Sequence, residues 1–143
     1  MNIHEITYTL DKVDEAAREL RRLMPLAAVF TFVGPLGVGK TTLIGTLLRE
    51  CGIDADIQSP TFTYLNTYVN AKGETFYHFD LYRLKSRADF TAAGFDEYLY
   101  EPASWALIEW PEIIMPLLKK RVINCVLEYA GEDRRKLRYS IVK

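Results

Sequence analysis

Residues 27–50 read AAVFTFVGPLGVGKTTLIGTLLRE. The first seven form a continuous apolar-rich run with β-formers, the composition of a strand buried on both faces. From Thr41 to Glu50 the chain carries Leu43, Ile44, Leu47 and Leu48 at helical spacing, facing one side. Between strand and helix, Gly34-Pro35-Leu36-Gly37-Val38-Gly39-Lys40-Thr41 matches G-x-x-x-x-G-K-[ST] at every defined position. Each residue has a physical duty. The glycines allow backbone angles that turn successive N–H groups of Gly34, Leu36, Gly37, Val38 and Gly39 around phosphate oxygens. The helix that starts here adds its positive end. Lys40 brings a point charge to the β- and γ-phosphates, Thr41 a hydroxyl for Mg²⁺, and Thr42 can reach the α-phosphate. The strand–loop–helix context separates this motif from a chance glycine-rich turn.

Around this core the chain alternates strands and helices. Ile3 to Thr9 alternates as a strand, and Asp11 is placed to cap a helix from about Lys12 to Met24, closed by Pro25. Gly52 stands where the cap of the second helix belongs. Phe62 to Val69 and Glu74 to Asp80 read as two strands joined by a turn at residues 70–73. Arg87 to Leu99 reads as a helix interrupted at Gly94, Ser104 to Glu109 as a short strand, and Pro111 to Leu118 as a short helix. Val122 to Tyr129 and Leu137 to Val142 complete the sheet. The expected architecture is a single α/β domain over residues 1–143. It is a three-layer P-loop NTPase fold with a mostly parallel central sheet, an antiparallel hairpin and helices on both faces. Ligands of such sheets bind at the C-terminal ends of the strands.

The composition, with 49% hydrophobic and 26% charged residues, is that of a soluble globular domain. The net charge of −1 creates no global field for nucleic acid. The charge is uneven, however: from Lys119 to Lys143 there are eight Lys or Arg against three acids. This basic segment, including Arg134 and Arg135, reads either as a solvated face or as a docking surface for phosphate or RNA. Cys51 and Cys125 are far apart, with no metal-ligand spacing, and read as small core residues. No apolar run approaches the ~18 residues of a membrane span, and the first residues carry no apolar export signal, so a cytoplasmic, non-membrane protein is expected.

A Mg²⁺-nucleotide site also needs acids at neighbouring strand ends. Asp80, closing ETFYHFD, and Glu109, closing WALIE, qualify; either can hold the cation through water or orient an attacking water. Thr61, in Ser59-Pro60-Thr61, stands where nucleotide switches carry a threonine that senses Mg²⁺ and the γ-phosphate. Arg83 and Arg87 follow as candidate phosphate or partner contacts. His78 reads as a packed histidine, and Trp110 as core or lid. No asparagine begins an N-K-x-D guanine motif, which favours ATP over GTP.

Three further segments, SPTFTYLNTY (59–68), HFDLYRL (78–84) and LIEWPE (107–112), follow the loop in order. Together they resemble the TsaE family, the small P-loop ATPases of bacterial tRNA threonylcarbamoyladenosine biosynthesis. The resemblance runs over nearly the whole chain. It implies slow ATP hydrolysis by the isolated protein and action with the TsaD–TsaB pair, which transfers threonylcarbamoyl to the adenosine beside the anticodon. It places Thr41 and Glu109 at Mg²⁺, Asp80 and Thr61 in catalysis and switching, and Trp110 beside the acid. It places adenine near Thr7 to Leu10, here Thr9 and Leu10, and near Glu132 to Arg134. The basic C-terminal segment is then a candidate tRNA contact within the complex. The chain departs from the family at Pro35, which stands for Asp, at Val38 for Ala, and at Thr67 for an acid. Two other readings stand beside the ATPase. One is a small-molecule kinase with Arg83 and Arg87 as lid arginines. The other is a nucleotide-gated binding module without significant turnover.

Overall fold

The computed structural model describes residues 2–60 and 62–143. Seven strands form one sheet in the order β1-β7-β6-β2-β5-β4-β3. They are β1 (Ile3–Thr9), β2 (Val29–Val33), β3 (Leu65–Val69), β4 (Thr75–Asp80), β5 (Ser104–Glu109), β6 (Val122–Tyr129) and β7 (Arg134–Val142). The four central strands, β6, β2, β5 and β4, run parallel. The outer strands β1, β7 and β3 pair antiparallel. The expected hairpin is therefore joined by two more antiparallel strands at the far edge.

The central strands alternate between two apolar faces, as period-2 geometry requires of a sheet covered on both sides. On one face Phe30, Phe32, Phe76, Leu107, Ile123 and Leu127 meet helices α1 (Val13–Arg22) and α2 (Lys40–Glu50). Leu43, Ile44, Leu47 and Leu48 of α2 are fully buried there, as are Ala16, Ala17 and Leu20 of α1. Burying a Leu- or Ile-sized side chain is worth about 1.5–3 kcal/mol, so this stripe seats α2 firmly. On the other face Val29, Phe79, Ala106, Ile108 and Val122 pack against α3 (Arg87–Ala92) and short 3-10 turns. Phe79, Phe90 and Phe95 cluster there, edge-on or tilted, at centroid distances of 5.6–5.7 Å.

Local differences from the sequence reading have local causes. Asp11 makes no capping bond; Leu10–Lys12 is a 3-10 turn and α1 starts at Val13. Ala27 and Ala28 precede β2. The strand expected from Phe62 starts only at Leu65, because Tyr64 adopts φ 66° and donates its N–H to Pro60 O, a turn incompatible with pairing. The 87–99 helix stops at Ala92 and resumes after Gly94 as a 3-10 turn. Residues 112–117 are also 3-10, with Pro116 denying a helical hydrogen bond. β7 begins at Arg134, three residues earlier than its apolar pattern, because the β6–β7 ladder continues through charged residues to Tyr129↔Arg135.

Candidate functional site

β2, β4 and β5 are parallel, so Val33, Asp80 and Glu109 end at the same edge of the sheet. The loop after β2 turns back over that edge. Its first residue, Gly34, packs so closely on β6 that a Cβ there would sit 2.6 Å from Leu127 O. Its last, Gly39, takes φ 114°, a conformation L side chains rarely adopt, and precedes the first turn of α2. A hollow of about 430 Å³ opens above the strand ends. Leu36, Gly37, Gly39, Lys40, Thr41 and Thr42 line it from the loop and helix; Ser59, Asp80, Tyr82, Arg83, Glu109 and Trp110 line it from the other side.

Asp80 and Glu109 are cross-strand neighbours in register, and their side chains share the face covered by α2. Thr41, in the first turn of α2, therefore meets Glu109: its hydroxyl lies 3.0 Å from each carboxylate oxygen. His78, two residues before Asp80 on β4, points to the same face and contacts Oε2 of Glu109 through Nε2 at 2.7 Å. Asp80 is held separately. Its Oδ2 accepts the Ser59 hydroxyl at 2.6 Å, and its Oδ1 accepts the Tyr82 N–H at 3.0 Å.

Lys40 donates its ammonium to Gly34 O and, at 3.4 Å, to Pro35 O. The same nitrogen lies 3.8 Å from the centroid of the Trp110 ring, a cation–π distance. Burial holds the ammonium below its ordinary pKa of 10.5, and Glu109, Glu112 and Asp80 partly offset this. Trp110 is a lining residue, not core: it takes φ 56° and its ring lies 4.8 Å from that of Tyr82. Arg83 lines the hollow with its guanidinium 5.1 Å from the Phe62 ring, whereas Arg87 is exposed on α3 and does not line it. Thr61 lies outside the described residues.

A smaller hollow of about 300 Å³ adjoins the loop, lined by Tyr8, Leu10, Val13, Gly37, Val38, Gly39, Thr42 and Arg135. Leu10 and Val38 thus line this second space. Thr9 and Arg134 pair with one another across β1 and β7 beside it, without lining it. Arg135, read from the sequence as part of an exposed basic face, is instead 7% exposed. Its Nε donates to Val38 O at 2.8 Å, its Nη1 to the carbonyls of residues 131, 132 and 134, and it lies 4.5 Å from the Tyr129 ring. The basic tally of the last residues hid this, because register, not composition, decides which arginine turns inward. Another hollow, about 520 Å³, opens at the opposite end of the sheet and holds none of the motif residues.

The family model for threonylcarbamoyl adenosine biosynthesis protein TsaE matches residues 7–137. The chain belongs to the TsaE family. Among relatives of that name, the Rickettsia felis protein is 43% identical over 103 residues, 71% of this chain and 58% of its own length. The Bacillus subtilis TsaE protein is 33% identical over 114 residues, 80% of this chain and 70% of its own length. The match therefore spans less than two thirds of the Rickettsia relative. The crystal structure of Bacillus subtilis YdiB superposes with a TM-score of 0.71 at 26% identity, covering 100% of this chain and 89% of that one. The P-loop fold is shared, in keeping with TsaE membership. No helix among the described residues is long and apolar enough to cross a membrane.

Proposed function

We propose that this chain binds Mg²⁺-ATP at the 430 Å³ hollow and hydrolyses it, slowly when alone, in tRNA threonylcarbamoyladenosine biosynthesis with the TsaD–TsaB pair. The observation that carries the ATPase reading is the convergence of Lys40, Thr41, Asp80 and Glu109 on one space at the C-terminal ends of parallel strands. The pathway reading rests on membership of the TsaE family.

The donor set suits a hard divalent cation. The Thr41 hydroxyl and the Glu109 carboxylate are oxygen ligands 3.0 Å apart, in keeping with the way Mg²⁺ takes a few protein oxygens and completes its shell with phosphate and water. When bound, Mg²⁺ neutralises charge building on the β- and γ-phosphates. The rest of the work falls to the chain. The loop N–H groups and Lys40 orient the phosphates. Lys40 must first leave the Gly34 and Pro35 carbonyls, and phosphate oxygens offer it a stronger, charged acceptor. Glu109 and Thr41, side by side, would hold the cation together. Asp80, fixed by Ser59 and the Tyr82 N–H, is the acid left to orient the attacking water. Adenine is assigned to the 300 Å³ hollow beside Leu10, with Tyr8 and Val13 as apolar walls.

ATP turnover measured on the protein alone and with TsaD–TsaB tests this directly. A low basal rate that rises with the pair, and that Lys40→Ala abolishes, is expected. A rate unchanged by Lys40→Ala, or indifferent to the pair, overturns the corresponding half of the proposal.

A further inference from the structure

His78 is fully buried, on the side of β4 that faces α2, directly beneath the nucleotide hollow. A buried imidazole is costly unless its polar atoms are engaged. One of them is: Nε2 lies 2.7 Å from Oε2 of Glu109, itself only 3% exposed. The other, Nδ1, has no partner among the described residues. The asymmetry assigns the proton. A carboxylate accepts, so Nε2 carries the N–H that donates to Glu109, and Nδ1 is left with a lone pair only, less costly to bury than an unpaired N–H.

The consequence lies at Glu109. Its carboxylate ends a strand beside open space and, unrestrained, could rotate away from α2. The His78 donor pins Oε2 from the core side, while the Thr41 hydroxyl approaches both oxygens from the helix side at 3.0 Å. The carboxylate is thus held between strand and helix with its outer edge toward the hollow. Outer partners of this kind orient metal ligands elsewhere, and their loss typically costs about 10–100-fold in metal affinity.

We infer that His78 is a positioning residue: it holds Glu109 in the orientation that, with Thr41, receives the divalent cation of the nucleotide complex. The inference rests on the proposed reading of Thr41 and Glu109 as the cation's protein ligands. His78 touches neither nucleotide nor cation in this role and transfers no proton. Its duty is to supply one directional N–H from a rigid β-strand.

The test is Mn²⁺ binding to the full chain with ADP present, read as loss of the free-ion signal in electron paramagnetic resonance, so that turnover is not the readout. Wild type is compared with His78→Leu, which fills the space without a donor, with His78→Gln, whose side-chain amide can restore an N–H near the position of Nε2, and with Glu109→Gln. Thermal melting identifies folded variants, and His78→Phe replaces His78→Leu if the latter does not fold. Metal-free ADP affinity should stay within about twofold of wild type, because the loop contacts are untouched. Mn²⁺ affinity should fall about tenfold in His78→Leu, consistent with the loss of an outer partner, and recover most of that in His78→Gln. If Glu109→Gln weakens Mn²⁺ binding while folded His78→Leu does not, the positioning role is wrong and the cation site stands. Equal loss in His78→Leu and His78→Gln also overturns it, since packing and not the donor then matters. If Glu109→Gln binds Mn²⁺ as wild type does, the cation reading itself fails and the role of His78 falls with it.

Discussion

Ser59 donates its hydroxyl to Oδ2 of Asp80 across 2.6 Å, tying the segment before β3 to the acid that closes β4. The same segment is held again where the Asp80 N–H donates to Tyr64 O at 3.0 Å. Removing the hydroxyl with Ser59→Ala should leave ATP affinity within about threefold and lower turnover about tenfold. One hydrogen bond to a charged group is worth about 1.5–3 kcal/mol, and tenfold corresponds to about 1.4 kcal/mol. Separate measurement of Kd and kcat distinguishes this from simple loss of binding; unchanged kcat would remove Asp80 fixation from the mechanism.

Lys40 links affinity to pH. Burial lowers its pKa from 10.5, so on raising the pH the ammonium of the free protein is lost before an exposed lysine would lose its own. ATP affinity should therefore decline as pH rises toward 10.5, and bound phosphate, by favouring the charged form, should shift that decline upward. Calorimetric titration in buffers of different ionisation enthalpy checks this: proton uptake should accompany binding at the alkaline end. Absence of proton uptake there contradicts a role for the Lys40 charge.

Gly34→Ala tests the loop's seat on β6. The added Cβ would meet Leu127 O at 2.6 Å and Val38 Cγ1 at 3.1 Å, and backbone on one side of that clash cannot swing away. The variant should lose about 1–3 kcal/mol in urea unfolding and most of its nucleotide binding. Unaltered stability would mean that loop and strand shift apart without cost.

Arg135 braces the loop through Val38 O, while Leu10 only walls the neighbouring hollow. Arg135→Ala should weaken tripolyphosphate and ATP alike, and cost about 2 kcal/mol of stability because the buried Val38 carbonyl loses a charged donor. Leu10→Ala should weaken ATP about tenfold and leave tripolyphosphate binding unchanged. Equal effects of Leu10→Ala on both ligands would move the base elsewhere.

Alkaline stability follows from buried acids held neutral. Burial raises Tyr8 from 10.0 to about 12, with Arg135 opposing, and raises Cys51 from 9.0 to about 11. Burial and the bond to Glu19 raise Tyr139 from 10.0 to about 12. As pH rises past these lower values the unfolded chain releases protons that the folded one keeps, so stability is full below 9.0 and falls progressively toward 12. Urea midpoints should drop over that window, and Tyr8→Phe should reduce the slope, the Tyr8 hydroxyl having no hydrogen bond among the described residues. A Tyr8→Phe slope equal to wild type would show that the phenol ionises freely in the folded state.

Much of this protein is readable along the chain because its signals are local. The phosphate-loop spacing, the apolar strand before it and the stripe of Leu43, Ile44, Leu47 and Leu48 depend only on short-range periodicity, and β1, β5 and β6 begin and end where that periodicity does. Asp80 and Glu109 were visible as acids ending apolar strands. What the chain could not disclose was set by pairing at long range. The parallel register of β4 with β5 puts Asp80 beside Glu109, and α2 lying over that face carries Thr41 to the carboxylate. The same register turns His78 inward to the same oxygen and makes an apparently idle histidine part of the site. On the far edge, the β6–β7 ladder buries Arg135 against Val38 and leaves Arg134 exposed, though the two are adjacent and identical in type. Composition and spacing determine which residues are available for phosphate chemistry; strand order and the two-residue alternation of side chains decide which of them meet.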